Sequence, residues 1–371
     1  MSNFKAPAFM SKLVKDQKAV LASTIKQKPL ITTGSVSLDY ATGGGIPKGD
    51  LTVLWGAEGS GKSWLSAKIM AAELEKKPNS YAIYIDTEFS YDPVRMKSLG
   101  VDTDRVFVFQ GNTYEDIVSP IGKMESDIIE DNRLCFVCVD SIKAMTTINE
   151  QKQMNEGNIE SASNAYGGIA KCINPLLRIL SRWAHKLELP VVLVNHVNSN
   201  LETMTAKYEP HIMGGGHFLK HMMSTCIYLG KVKSKESKLV NTEHKNINGT
   251  EIVSGYLIRA KVNKTRRTVE GKVAEFSVDF TSGTIEKKES ELTRLACSLG
   301  IINKEGQSLY YGDVNGTDKA RFESGFISLL EKRPELYDRI YKEVMDSNKR
   351  TVFKPTEDLL SDKELDKLLE D

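Results

Sequence analysis

Eight consecutive residues, Gly56-Ala57-Glu58-Gly59-Ser60-Gly61-Lys62-Ser63, constrain this chain more than anything else in it. They match G-x-x-x-x-G-K-[ST] at every fixed position, the pattern of a loop that wraps phosphates. The flanks agree with that pattern. Leu51–Trp55 reads as a buried strand, and the run from Trp64 to Ala72 reads as a helix. Glycines let the backbone curl so that its N–H groups and the positive helix end face an anion. Lys62 is expected to reach the outer phosphates, and the Ser63 hydroxyl to hold Mg²⁺. A chance glycine-rich turn would not bring the strand and the helix with it.

At 371 residues the chain can bury a large core and divide into more than one domain. Its 40% hydrophobic and 27% charged residues are those of an ordinary soluble protein, and a net charge of +1 gives no global pull toward nucleic acid or membrane. Any polyanion site must therefore be local. Five scattered cysteines, Cys135, Cys138, Cys172, Cys226 and Cys297, suit a reducing cytoplasm. Cys135 and Cys138 have metal-like spacing, but an apolar strand is expected to point them to opposite faces, as core packing. No secretory signal and no run long enough to cross a bilayer is visible, so no membrane role is expected.

Apolar strands alternate with helical stretches from Ile31 to about Gly283. The expected strands are Leu51–Trp55, Ser80–Asp86, Val106–Gln110, Leu134–Asp140, Pro190–Asn195, Thr225–Leu229, Ser254–Val262 and Lys272–Phe280. The early ones are near-continuous apolar runs separated by helices, which predicts an α/β fold with a mostly parallel sheet covered on both faces. The later ones lie closer together and read as antiparallel. Three units follow: an arm over residues 1–30, with a helix from about Phe9 to Ile25 that packs on its own core or on a neighbour; a core over 31–285; and a small helical domain over 286–371. The helices of the last unit are expected at Glu291–Leu299, Lys319–Glu331, Pro334–Met345 and Asp358–Leu369. Residues 145–167 and 197–216 read as irregular loops at the carboxyl ends of strands, where open parallel sheets bind ligands.

Strand ends near a phosphate loop carry the chemistry. Tyr84-Ile85-Asp86-Thr87-Glu88 offers Glu88 as the base that polarises an attacking water. Phe136–Asp140 is an apolar strand ending in the carboxylate expected on the Mg²⁺ side. Asn195 and His196 end the next strand, where His196 serves either as a satisfied structural residue or as a sensor of the terminal phosphate.

These blocks resemble the RecA-type homologous recombinases, most closely the phage UvsX-type members. The resemblance runs from about Ile31 to Gly306. It rests on Ile31–Asp39, Gly56–Ser63, Asp86-Thr87-Glu88, Leu99–Asp102, Val139-Asp140-Ser141, Asn195-His196 and Gly214–Lys220. The Asn195-His196 pair and the run Val262–Val269 point to the phage branch, and so to a virus-encoded protein acting in a host cytoplasm. The resemblance implies a RecA-like P-loop ATPase core and a helical filament of subunits on single-stranded DNA, with ATP and Mg²⁺ at each interface. Glu88 then corresponds to the catalytic glutamate, and His196 links nucleotide state to DNA. Lys264 and the nearby Arg266 are cations supplied by the neighbouring subunit. Trp64, Asp92, Arg95 and Lys220 join the nucleotide site, Arg95 standing where many bacterial members have an aromatic residue against adenine. The two irregular stretches fall where the family has its DNA-binding loops.

A near-neutral chain needs local positive charge to hold DNA. Lys171 and Arg178 are seven apart and share a helix face, where the family contacts phosphates. The resemblance also implies a bulky wedge between bases from each loop: Tyr166 in the first, Leu201 or Met204 in the second, with Gly215 and Gly216 closing that loop. Residues 231–272 hold eleven Lys and Arg against four Asp and Glu, and Lys231–Lys235 is either a surface for duplex DNA or a solvated strand edge. The last 17 residues hold seven acids and two bases, a tail that competes with DNA, recruits a partner or serves solubility. The expected activity is DNA-dependent ATP hydrolysis with homologous pairing and strand exchange, with a single-strand-binding protein and a loader as further partners. A ring helicase motor on the same core and a non-catalytic recombination mediator are the alternatives.

Overall fold

Strand Leu51–Gly56, all six residues buried, sits in the middle of the molecule and carries the phosphate loop at its end. The computed structural model describes residues 7–16, 18–111, 113–142, 146–157, 166–199, 211–214, 216–232, 238–245, 251–280 and 283–349. The strands on the main path of the sheet are β1 (Leu51–Gly56), β2 (Tyr81–Asp86), β3 (Val106–Gln110), β4 (Leu134–Asp140), β5 (Val191–Ser199), β6 (Thr225–Lys231), β7 (Glu251–Lys264), β8 (Val273–Asp279) and β9 (Thr284–Ile285). They run in the order β9-β8-β7-β6-β1-β5-β4-β2-β3; Lys238–Lys245 adds to β7 and His211–Met213 to β5, which makes eleven strands. The six from β6 to β3 are parallel, and β7, β8 and β9 turn antiparallel beyond β6.

Period-two alternation assigns each parallel strand to two cores. On one face Leu54, Tyr84, Phe136, Val192 and Ile227 pack against the helix Lys62–Lys76 through Trp64, Leu65, Ile69 and Met70. On the other, Leu51, Val53, Ile83, Val137 and Leu193 pack against Tyr114–Lys123, Glu125–Asp131 and Tyr166–Leu187, with Trp183 fully buried. One expectation fails here. Cys135 and Cys138 share the first core, because the register with β2 shifts by a residue between Leu134 and Phe136. Cys138 lies 3.2 Å from the Ser66 hydroxyl. Both thiols are buried and free, and the described residues contain no His, Cys, Asp and Glu cluster suited to a metal. No helix among the described residues is long and apolar enough to cross a membrane.

The ends differ more from expectation. The arm is not one helix from Phe9 to Ile25: a helix spans Ala8–Lys15, the chain extends, and a single 3-10 turn follows at Ala22–Thr24. Its apolar side chains Phe9, Val20 and Ile25 are each more than 60% exposed. Past β9, helices Lys288–Ser298, Phe322–Lys332 and Pro334–Lys349 are joined by a three-stranded antiparallel sheet that the sequence reading did not include, Ile302–Glu305, Ser308–Tyr311 and Lys319–Arg321. Strands of three or four residues leave too short an alternation to read. Lys319–Arg321 therefore pairs with Ser308–Tyr310 instead of opening the next helix. The expected helix Asp358–Leu369 and the acidic tail lie outside the described residues.

A third apolar cluster, Leu292, Phe326, Leu336, Ile340 and Val344, closes over Val36 and Tyr40 of helix Val36–Thr42. Glu291 seals this contact. Its carboxylate accepts from the Ser35 hydroxyl at 2.9 Å and from the Val36 N–H at 2.6 Å. Burial pushes the Glu291 carboxyl up to about 7 from 4.5, against the two hydrogen bonds; Glu286 raises it further and Arg294 lowers it. A carboxyl raised in the folded state favours folding fully below its unfolded value, and that contribution is lost as pH rises from about 4.5 through about 7. The difference is worth about 3 kcal/mol. Thermal melting at pH 5 and pH 8 is expected to show this loss. Glu291→Gln should flatten it, leaving the slope from buried Asp39, whose carboxyl is pushed up to about 6.

Candidate active site

Local backbone demands explain the glycines. A Cβ on Gly56 would lie 2.1 Å from the Leu229 carbonyl oxygen, because β1 and β6 pair side by side there. Gly61 adopts φ 90 as the residue that opens the helix Lys62–Lys76. Lys62 is buried and folds back over its own loop, donating to the Gly56 and Ala57 carbonyls at 3.0 and 2.9 Å. Its ammonium is shifted below the usual lysine value by burial, against the pull of Asp140, Glu88 and Glu58. The Ser60 hydroxyl is buried without a partner among the described residues. An unpaired buried hydroxyl and a lysine resting on backbone carbonyls are what a phosphate cradle leaves for an anion to satisfy.

The loop opens on a pocket of about 380 Å³, lined also by Glu58, Ser63, Trp64, Glu88, Arg95, Asp140, His196, Lys231 and Phe280. Four parallel strand ends supply its acids and its histidine. Asp140 ends β4 and accepts from the Tyr84 hydroxyl at 2.7 Å and from the Ser63 hydroxyl. Burial raises its carboxyl above the usual range, and those two hydrogen bonds oppose the rise. Ser63 and Asp140 together therefore present a hydroxyl and a carboxylate, hard oxygen donors that fit Mg²⁺.

Glu88 lies just past β2. One of its oxygens accepts from the Ser141 hydroxyl at 2.5 Å and lies 2.8 Å from His196 Nε2. Thr87 and Ser141 fasten the two strand ends together: the Thr87 hydroxyl donates to the Ser141 carbonyl at 2.6 Å and accepts the Ser141 N–H at 2.8 Å. Asp86 is turned away from the pocket. It accepts from the Ser90 and Tyr91 N–H groups and from Gln110, shaping the turn that presents Glu88. Beside His196, buried Asn195 donates to the Gly214 carbonyl at 2.8 Å and accepts the His196 N–H at 2.9 Å. One side chain thus fixes both ends of the 197–213 excursion, whose flanks Val197–Ser199 and His211–Met213 pair antiparallel.

Other expected residues lie elsewhere. Asp92 caps the helix Pro93–Ser98 by accepting from the Val94 and Arg95 N–H groups and does not line the pocket. Lys264 pairs with Cys226, which is level with Val53, three residues short of Gly56. Its ammonium donates to the Lys220 carbonyl at 2.6 Å. Arg266 lines a different pocket with Asp50, Ser224 and Thr225, at the amino ends of the strands. Lys264 therefore contacts Lys220, and none of Lys220, Lys264 and Arg266 lines the phosphate-loop pocket of its own chain. Tyr166, Lys171 and Arg178 share the helix Tyr166–Leu187, and exposed Arg178 lies over the Phe218 ring at 5.5 Å. Gly216 opens the helix Gly216–Met222. Leu201, Met204, Gly215 and the stretch 233–235 lie outside the described residues.

Two pocket residues, Lys231 and Phe280, and two supporting residues behind them, Tyr84 and Ser141, went unassigned to the nucleotide site from sequence. Tyr84 and Ser141 hold Asp140 and Glu88; Lys231 and Phe280 form the wall beyond Gly59. A signal existed for Lys231, since it ends a strand adjoining β1, but its neighbour in the sheet is fixed only by pairing. Phe280 follows β8, two strands further out, and no local pattern brings it inward.

A family model for the RecA N-terminal domain matches residues 13–285 of this chain. The chain is a member of the RecA family. It is 29% identical to protein RecA of Aquifex aeolicus over 327 residues, covering 86% of this chain and 84% of that relative. Protein RecA of Nitratiruptor is 30% identical over 324 residues, covering 85% and 83%. Protein RecA of Mycoplasma mobile is 29% identical over 320 residues, covering 85% and 86%. The match to the RecA domain ends at β9, and the cluster built on Glu291 and Phe326 follows it.

Proposed function

We propose that this RecA family member is a DNA-dependent ATPase of recombination and repair. In this reading it assembles as a helical filament on single-stranded DNA and pairs that strand with a homologous duplex. The observation that carries the proposal is a continuous polar link. It runs from the phosphate pocket through Glu88 and His196 to Asn195, which ties down the ends of the second loop. ATP fills the cradle with its terminal phosphate toward Lys62 and Glu88. Mg²⁺ held by Ser63 and Asp140 would neutralise charge on the phosphate oxygens. Glu88, freed from Ser141 or His196, takes the proton of the attacking water. Loss of the Glu88 hydrogen bond releases His196 and, with it, the strand end that leads into the loop.

Lys264 and Arg266 then complete the site of an adjoining copy, which their distance from the phosphate loop of their own chain favours. Lys171 and Arg178 supply phosphate contacts on the DNA side. The finer placement in the phage branch rests on Asn195-His196 and on Val262–Val269, and a single-strand-binding protein and a loader are the partners this reading requires. A mediator without hydrolysis is disfavoured by the complete set Lys62, Glu88 and Asp140 around one pocket.

Two-way coupling tests the proposal. A non-hydrolysable ATP analogue is expected to tighten single-stranded DNA binding by about 5- to 150-fold, and DNA to tighten the analogue by the same factor. DNA should also raise ATP turnover. Binding indifferent to nucleotide, with equal turnover in the presence and absence of DNA, would sink the reading.

A further inference from the structure

Lys231 has no role in the scheme above, yet it reaches the phosphate loop. It is the last residue of β6, the strand that flanks β1 on the side away from β5. Leu229 is level with Gly56, so Lys231 overshoots the end of β1 by two residues. A methyl group placed on Gly59 would lie 2.9 Å from Lys231 Nζ. The side chain therefore lies across the mouth of the loop and lines the same pocket as Lys62, Glu88 and His196. Its ammonium rests 4.5 Å from the centre of the Tyr256 ring, and no carboxylate pairs with it among the described residues. An exposed cation held over a tyrosine ring gains about 1 kcal/mol or less. A phosphate oxygen is a much stronger partner, because the hydrogen bond is then charged on both sides.

We propose that Lys231 is a second cation for the nucleotide within its own chain, crossing Gly59 to bind the terminal phosphate and so distinguishing ATP from ADP. The inference rests on the nucleotide-site reading above. Lys62 rests on the Gly56 and Ala57 carbonyls of the loop, and Lys231 reaches Gly59 from the adjoining strand. The glycine at position 59 leaves the passage clear, since a Cβ there would press on the ammonium. Lys231 shares its wall of the pocket with Phe280, and the Phe280 and Tyr256 rings stand 6.4 Å apart. On binding, the ammonium leaves the Tyr256 ring for the phosphate. Position 231 also begins the basic run Lys231–Lys235, so nucleotide occupancy decides whether this charge faces the pocket or the surface.

The rival phosphate is the DNA backbone, and the experiment separates the two. Lys231→Met and Lys231→Arg are compared with the unaltered chain for binding of a non-hydrolysable ATP analogue and of ADP, without DNA. Single-stranded DNA binding across a salt series is measured alongside. Lys231→Met is expected to weaken the ATP analogue by about tenfold or more and to leave ADP affinity close to that of the unaltered chain. Lys231→Arg should restore the difference, and the salt slope for DNA should stay unchanged. Equal losses for both nucleotides overturn the discrimination. Unchanged nucleotide affinity overturns the proposal, and if the salt slope then falls by about one, Lys231 belongs to a DNA phosphate. An unaltered chain that binds neither nucleotide overturns the nucleotide-site reading itself.

Discussion

Replacing Lys264 with alanine is expected to lower DNA-stimulated ATP turnover by about three orders of magnitude or more, while a lone subunit binds ATP as before. Lys264 stands level with Val53, at the wrong height along the sheet to touch a phosphate at Gly56 in its own chain. A cation in that place serves hydrolysis only if a second copy presents it, where it stabilises charge on the leaving phosphates. The substitution also removes the hydrogen bond from the Lys264 ammonium to the Lys220 carbonyl. A melting curve therefore checks that the helix Gly216–Met222 survives. Mixing settles the geometry. Chains carrying Lys264→Ala still have Glu88, and chains carrying Glu88→Gln still have Lys264. A junction of the two in the right order holds one intact site. Recovered turnover in the mixture is the expected outcome, and a mixture as inert as its parts would eliminate supply by a neighbour.

Glu88→Gln should reduce turnover by about 10²- to 10⁴-fold, the usual worth of a positioned general base. An amide can still accept from the Ser141 hydroxyl, so the turn at Thr87 is expected to hold its shape. It cannot take a proton from water. ATP and DNA affinity should therefore persist, and the complex with both should become long-lived. Single-turnover hydrolysis measured beside nucleotide affinity separates chemistry from binding. Retained turnover would move the base to another group.

The central strands were legible because burial on both faces writes itself as unbroken apolar runs; Leu134–Asp140 is the plain case, with all seven residues buried. The phosphate loop was legible because its glycines answer backbone demands that no other residue meets. What escaped depends on pairing between distant segments. The shift that turns Cys135 to the same side as Cys138 is set by the register with β2. Lys231 and Phe280 reach the pocket through the order of strands in the sheet, which no periodicity encodes. Asp92 shows the opposite error. A polar residue near a binding loop invites a ligand role, while its carboxylate answers the free N–H groups of the next helix. Lys264 and Arg266 came from resemblance alone, since nothing in their own fold brings them to the phosphate loop.

The pocket draws on Glu58 at one extreme of the chain order and Phe280 at the other, with strands β2, β4, β5 and β6 each contributing a piece in between. Pairings of such separation form slowly. A ribosome that has released the chain as far as Asp140 has exposed the loop, Glu88 and Asp140, but neither His196 nor the far wall. During synthesis the pocket therefore stays incomplete until the strand ending at Lys231, and then Phe280, have emerged.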